Sequence, residues 1–359
     1  MRSETVTESS KSSPSAQDFL AGADFALPKG FELIAEDAEF GPQILQALTE
    51  VEDRLAKAVA QTNQLADVAS RHLLSAGGKR VRPLLTLLAA AAGGGINDRV
   101  IDAAVVVELT HLATLYHDDV MDDAPKRRGV DTAQQIWGNS VAILTGDLIF
   151  SRASLIVSGL GDRALTIQAQ TFERLVLGQL YETTGPQAGD NLLDHYIRVI
   201  EGKTGSLIAA CGAFGGLLSG APEATTQLLA RYGELVGVAF QLADDVIDVT
   251  SSGKTSGKTP GTDLREGVPT LPTILLDQAA AAGDLEAQRI QAMIAGDLSS
   301  DQALAQAVEA LSAHPVTQQA WEIAYQWADD AIAALEPLQD SVVKEALKSF
   351  AQAVVHRQA

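Results

Sequence analysis

The chain has 359 residues, of which 46% are hydrophobic and 5% aromatic, and it carries a formal net charge of -20. That acidity excludes a nucleic-acid partner held through its phosphates, which needs a basic surface. The single cysteine, Cys211, excludes an internal disulfide framework and a cysteine-ligated zinc site, and reads as a small buried hydrophobe. No apolar run is expected to cross a membrane uninterrupted, and the first residues lack a signal-peptide hydrophobic region, so the expected location is the cytoplasm.

Residues 1–17, rich in Ser, Thr and Glu, read as a disordered tail, and residues 18–359 as one domain. From about Phe40, Ile44, Leu45, Leu48, Val51, Leu55 and Val59 recur at helical spacing. Gly77-Gly78 breaks the pattern, Pro83 sits near the start of the next helix, and that helix ends at Gly93-Gly94-Gly95. The next predicted helix runs from about Asp98 to Asp122. Others cover roughly Ser140–Leu160, Ala164–Glu182, Asp194–Leu218, Pro222–Val249, Pro272–Ala282, Leu285–Ala295, Asp301–Ala313 and Pro315 to the end. Nothing alternates like a strand, and alanine and leucine carry the apolar content, so the expected class is all-α.

Two predicted helices close on aspartates: His117-Asp118-Asp119-Val120-Met121-Asp122-Asp123, and Asp244-Asp245-Val246-Ile247-Asp248. On a helix Asp118 and Asp122 stand one turn apart on one face, with Asp119 beside them. Like charges that close repel unless a cation lies between them. Mg²⁺ matches bare carboxylates facing a phosphate-bearing ligand, because it keeps several waters and needs few protein ligands. One acidic run is usually a solvated face; two, each closing an apolar helix, suggest a metal clamp for a diphosphate.

Basic groups bracket these clusters: Lys79, Arg80 and Arg82 in Gly77-Gly78-Lys79-Arg80-Val81-Arg82-Pro83, Arg127-Arg128 after the first cluster, then Lys203-Thr204 and Lys258. They suggest two anionic ligands, with arginine supplying forks and lysine point charges. The apolar walls upstream of each cluster suit a greasy ligand with a charged head. Loss of diphosphate from an allylic carbon leaves a resonance-stabilised cation, which a dry helical cavity protects from water.

These segments, with Gly146-Asp147, Gly202-Lys203-Thr204, Gln241-Leu242-Ala243-Asp244-Asp245, Gly257-Lys258 and Thr262-Asp263-Leu264, resemble the trans-isoprenyl diphosphate synthases in order and number, from about Gln43 to the C-terminus. The resemblance implies an isoprenoid-synthase helical bundle around a deep apolar cavity, usually homodimeric. It implies a prenyltransferase that adds isopentenyl diphosphate to an allylic diphosphate with three Mg²⁺ ions. By position, Asp118, Asp119, Asp122, Asp244, Asp245 and Asp248 would hold the metal. Gly78, Lys79, Arg82, His111 and Arg128 would bind isopentenyl diphosphate, and Arg127, Lys203, Thr204, Gln241 and Lys258 the allylic diphosphate. Departing diphosphate would take the final proton, so no side-chain base is expected.

One position departs from the family pattern: Val268 stands where a further lysine is often found, so an allylic phosphate contact is lost or supplied by Arg265. Bulky aromatics one turn before the first cluster mark short products in the family. This chain has Ala113 and Thr114 there, resembling medium- and long-chain synthases that make quinone side chains. Tyr116 should point about 200° away from Asp118. His117 reads as orienting a carboxylate, and His195, His314, His356 and the three tryptophans as structural. A terpene cyclase would usually replace the second aspartate cluster, a regulatory subunit would lose aspartates, and a His/Asp phosphohydrolase would need further spaced histidines.

Overall fold

The computed structural model describes residues 27–251 and 260–356; the predicted tail at 1–17 and Lys258 lie outside them. Among the described residues the chain is built from helices in the order α1 (Glu32–Glu36), α2 (Phe40–Val59), α3 (Gln64–Ser75), α4 (Val81–Ala92), α5 (Asp98–Met121), α6 (Ala133–Trp137), α7 (Asn139–Ser158) and α8 (Asp162–Thr184). They continue with α9 (Leu192–Ile200), a π-helical turn (Glu201–Gly205), α10 (Ser206–Ser219), α11 (Glu223–Thr250), α12 (Thr262–Glu266), α13 (Leu271–Ala281), α14 (Leu285–Ile294), α15 (Asp301–Ala313), α16 (Pro315–Ala334) and α17 (Val342–Val355). The expected all-α class stands, with one addition. A two-residue antiparallel ladder, β1 (Lys126–Arg127) with β2 (Val130–Asp131), forms between α5 and α6.

Helix ends follow local chemistry. Asn97 caps α5 by accepting from the amides of Arg99 and Val100, and Asn63 caps α3 through Ala66 N at 3.1 Å. The pattern read from Phe40 to the Gly77-Gly78 break is two helices, α2 and α3, and the apolar Leu65 and Val68 of α3 are exposed, so its outer face breaks the regular spacing. The single helix predicted over Asp194–Leu218 is α9 and α10 joined by the π turn. The one predicted from Pro315 onward breaks after Ala334, and Ser341 caps α17 by accepting from Lys344 N at 3.2 Å.

Helices α10 and α11 form the central pair, and α4, α5 and α16 pack around them. Their closeness rests on glycine: a β-carbon at Gly212 would collide with Leu229 O, and one at Gly216 would lie 2.8 Å from Thr226 Cα. Helices α5 and α7 are long and apolar enough to cross a membrane, contrary to the expected absence of such runs. In α5 that stretch is 67% buried and forms core; in α7 it is only 33% buried. Leu144, Leu155, Leu165 and Leu180 of α7 and α8 are exposed.

Candidate active site

The C-terminal ends of α5 and α11 bring the two aspartate clusters to the same region as the π turn. Asp119 is 1% exposed; its Oδ1 accepts from Arg127 Nε at 2.7 Å, while its Oδ2 is buried without a partner. Burial raises its pKa, and the Arg127 hydrogen bond opposes the rise. Asp118 is partly exposed, and burial pushes its pKa up to about 6 against the nearby Lys203 charge. Asp122 ends the helix, exposed, its amide donating to Asp118 O at 2.8 Å.

In the second cluster Asp245 is buried and both its oxygens are used: Oδ1 accepts from Gln241 Nε2 at 3.0 Å and Oδ2 from the Tyr196 hydroxyl. Burial raises its pKa to about 7. Asp244 and Asp248 remain partly exposed, with Asp248 Oδ2 accepting from Asp263 N at 3.2 Å. Each Asp245 oxygen accepts one of these bonds, which ties the carboxylate to Gln241 and Tyr196 and leaves lone pairs on both oxygens for a cation. Tyr196 had no signal in the sequence, since nothing marks its pairing with a residue 49 positions away. Among the described residues no three His, Cys, Asp or Glu side chains converge as a ready-made metal cage. The residues nonetheless fit a divalent cation: Asp119 carries an orphaned buried carboxylate oxygen, and burial raises the pKa of Asp118 and Asp245 despite their neighbours, so a bound cation would stabilise their charged forms.

The π turn presents Lys203 and Thr204. Thr204 Oγ1 donates to Gln241 Oε1 at 3.3 Å, and Lys203 Nζ pairs with Glu182 of α8. The turn lies directly on α8, where a β-carbon on Gly178 would stand 2.8 Å from Lys203 N. A chain of contacts therefore runs from Thr204 through Gln241 and Asp245 to Tyr196. His117 does meet a carboxylate, that of Asp147 on α7 rather than one of its own cluster: its Nε2 lies 3.3 Å from Asp147 Oδ1 and 3.2 Å from Ile143 O. Gly146 leaves room for that ring.

On the other side, the loop before α4 meets the β1–β2 turn. Arg80, in the left-handed region at φ 48°, is 5% exposed. It is bound by Glu52, by Glu108 at 3.2 Å and by the carbonyls of Gly77 and Leu74. Arg128, at φ 53°, donates to Leu73 O at 2.8 Å and to Gly77 O. A β-carbon on Gly78 would lie 3.1 Å from the Arg128 guanidinium. Arg82 differs: its Nε is buried with no partner. His111 is held neutral, its pKa well below normal through burial and then the arginine charges of Arg82 and Arg128. Gly78 and Lys79 are exposed. Ala113, one turn before the first cluster, is 1% exposed, and Tyr116 turns away as expected, its hydroxyl accepting from Leu73 N at 3.2 Å.

The sequence profile described as polyprenyl synthetase matches residues 63–311. The nonaprenyl diphosphate synthase of Mycobacterium tuberculosis is 40% identical over 322 residues, covering 89% of this chain and 95% of that protein. The octaprenyl diphosphate synthase of Escherichia coli is 35% identical, covering 82% of this chain and 90% of its own length. A geranylgeranyl pyrophosphate synthase from Corynebacterium glutamicum, solved with calcium and isoprenyl diphosphate, superposes with a TM-score of 0.80 at 41% identity, covering 90% of this chain and 98% of that one. On the strength of the matched span and of these likenesses, the chain belongs to the polyprenyl synthetase family and is a prenyltransferase of the polyprenyl diphosphate synthase type.

Proposed function

We propose that the protein is a Mg²⁺-dependent, all-trans polyprenyl diphosphate synthase that joins isopentenyl diphosphate to an allylic diphosphate. The observation that carries this reading is the arrangement of two carboxylate-ended helices near Lys203, beside the arginine cluster of Arg80, Arg82 and Arg128, in which buried Arg82 Nε has no partner. Asp118, Asp119, Asp122, Asp244, Asp245 and Asp248 would hold the magnesium, three ions in all, with Asp245 also fixing Gln241. Bound metal would neutralise the diphosphate and make it a leaving group.

The protein's own groups bind and orient. Lys203 and Thr204 hold the allylic diphosphate, with Lys203 exchanging Glu182 for phosphate, and Gln241 keeps Thr204 in place. Arg127 is tied to Asp119 and serves the allylic site through that carboxylate. Lys258 belongs to the same set. Arg82, Lys79, Gly78, neutral His111 and Arg128 receive isopentenyl diphosphate. The allylic C–O bond breaks with its electron pair leaving on the diphosphate. The isopentenyl double bond attacks the cation, and departing diphosphate takes the proton. Dry walls keep water from the cation.

Ala113 and Thr114 are small where bulky aromatics mark short products, which supports a medium- or long-chain product of the quinone side-chain type. The exposed leucines of α7 and α8 support a homodimer through those helices. Burial of α5, with α7 covered by a second copy, leaves neither as an anchor and supports a cytoplasmic enzyme.

The test is incubation with magnesium, radiolabelled isopentenyl diphosphate and dimethylallyl, geranyl, farnesyl or geranylgeranyl diphosphate, sizing the products after dephosphorylation. A polyprenol of defined length made only with magnesium is expected. Hydrocarbon released without isopentenyl uptake would mean a cyclase, and no conversion from any primer a partner-dependent subunit. Ala113→Phe is expected to shorten the product by at least one prenyl unit; an unchanged length would remove Ala113 from the wall.

A further inference from the structure

Tyr196, which no sequence signal marked, joins three helices at one oxygen atom. It lies buried in the middle of α9, and α9 runs directly into the π turn that presents Lys203 and Thr204. Its hydroxyl donates to Asp245 Oδ2 on α11. The backbone amide of Leu271, the first residue of α13, hydrogen-bonds to the same hydroxyl oxygen.

The direction of each bond in this network is fixed by chemistry. An ionised Asp245 only accepts, so Gln241 turns its Nε2 to Asp245 Oδ1 at 3.0 Å, which leaves Gln241 Oε1 for the Thr204 hydroxyl at 3.3 Å. Gln241 stands one turn before Asp245 on the same helix, so its bond steadies the carboxylate without placing α11 against a neighbour. The two bonds that cross between helices are Thr204–Gln241 and Tyr196–Asp245, and both start from α9 and the turn that continues it. Four side chains thus close a ladder of two rungs between that arm and the acidic end of α11. A carboxylate with one donor on each oxygen cannot turn freely about its Cβ–Cγ bond, so its remaining lone pairs keep one direction. For packing alone a phenylalanine would serve at position 196; what the hydroxyl adds is the tie to Asp245.

We propose that Tyr196 is a positioning residue for the bound metal, holding Asp245 and with it the second aspartate cluster in a fixed orientation toward the π turn. The proposal rests on reading the site as that of a magnesium-dependent prenyltransferase. Outer partners of this kind orient a metal-binding carboxylate before the ion arrives. Without the hydroxyl, Asp245 keeps only the bond from its own helix, and magnesium must order the carboxylate as it binds. The loss falls on the part of allylic affinity that magnesium supplies. It spares the isopentenyl diphosphate site, which is built from the loop before α4 and the β1–β2 turn.

The test compares wild type with Tyr196→Phe, which keeps the ring and removes only the hydroxyl. Farnesyl diphosphate is titrated calorimetrically with magnesium and again in EDTA, without isopentenyl diphosphate so that no condensation occurs; isopentenyl diphosphate is titrated separately. Expected in Tyr196→Phe is a Kd for farnesyl diphosphate raised about tenfold with magnesium. In EDTA that Kd, and the Kd for isopentenyl diphosphate, should stay within about twofold of wild type. The magnesium concentration for half-maximal incorporation of labelled isopentenyl diphosphate should rise by a similar factor, with kcat recovering at saturating magnesium. A wild-type Kd with magnesium would overturn the positioning role. Equal weakening with and without magnesium, weakening of both substrates alike, or loss of the folded circular dichroism spectrum would also overturn it, by assigning the hydroxyl to the fold. If magnesium gave wild type itself no gain in farnesyl diphosphate affinity, the magnesium reading beneath the proposal would fall instead.

Discussion

Arg80 and Arg82, two residues apart, have opposite fates. Arg80 is saturated by Glu52, Glu108 and two carbonyls, whereas Arg82 keeps a buried donor unmet. Arg80→Ala would remove the cation of Glu52 and leave buried Glu108 with Arg128 at 3.9 Å, and is expected to cost about 3–5 kcal/mol, measured by urea unfolding. Arg82→Ala should leave the melting temperature within a few degrees and raise KM for isopentenyl diphosphate about tenfold, with a smaller change for the allylic substrate. Equal destabilisation by both would refute this division. The aspartates make a second residue-level prediction. Asp118 and Asp245 have pKa values raised to about 6 and about 7, mainly by burial, from 3.8. Each binds its proton more tightly folded than unfolded, so the stability contributed is complete below about pH 4 and is lost as pH rises through 6 and 7. In EDTA the melting temperature should fall by several degrees between pH 5 and 8, and less so in Asp118→Asn; a flat profile in wild type would contradict it. Each aspartate motif was legible because its spacing puts its carboxylates on one helix, and Lys203 because Gly202-Lys203-Thr204 matches the family pattern. Tyr196, Glu182 and Glu108 were not, because their partners come from other helices.

The π turn decides where Lys203 points. Continuous apolar spacing over Asp194–Leu218 reads as one helix, and a turn with i→i+5 hydrogen bonds leaves no mark in such a pattern. What fits it to its neighbour is backbone contact: a β-carbon on Gly202 would lie 2.8 Å from Gly178 Cα. Gly178→Ala should therefore cost about 1–3 kcal/mol and push the turn off α8. The expected result is an allylic KM raised about tenfold with KM for isopentenyl diphosphate unchanged. Steady-state kinetics with each substrate varied in turn would check this, and equal effects on both would argue for general misfolding. The break after Ala334 had a visible cue in Pro337, and helix α3 in its Asn63 cap.

At the scale of the molecule, the chain leaves Leu144, Leu155, Leu165 and Leu180 exposed on adjacent helices. Exposed apolar area of this kind suits an interaction face, and in the proposed homodimer a closed two-fold pair would bury it on both copies. Leu144→Asp combined with Leu155→Asp should convert a dimer to a monomer by light scattering at micromolar concentration, with far-ultraviolet circular dichroism unchanged. Wild type running as a monomer would remove the proposal.

The sequence by itself determined the all-α class, most helix bounds, the two aspartate clusters and the basic groups around them, because helical period and local caps act over a few residues. Tertiary structure decided the rest. It assigned Arg80 to the fold and freed Arg82, turned Asp245 toward Tyr196 and Gln241, paired Lys203 with Glu182, and set Gln168 against Thr110. Those outcomes depend on which buried charge or amide meets which partner across helices, and desolvation makes each pairing specific without leaving a periodic trace.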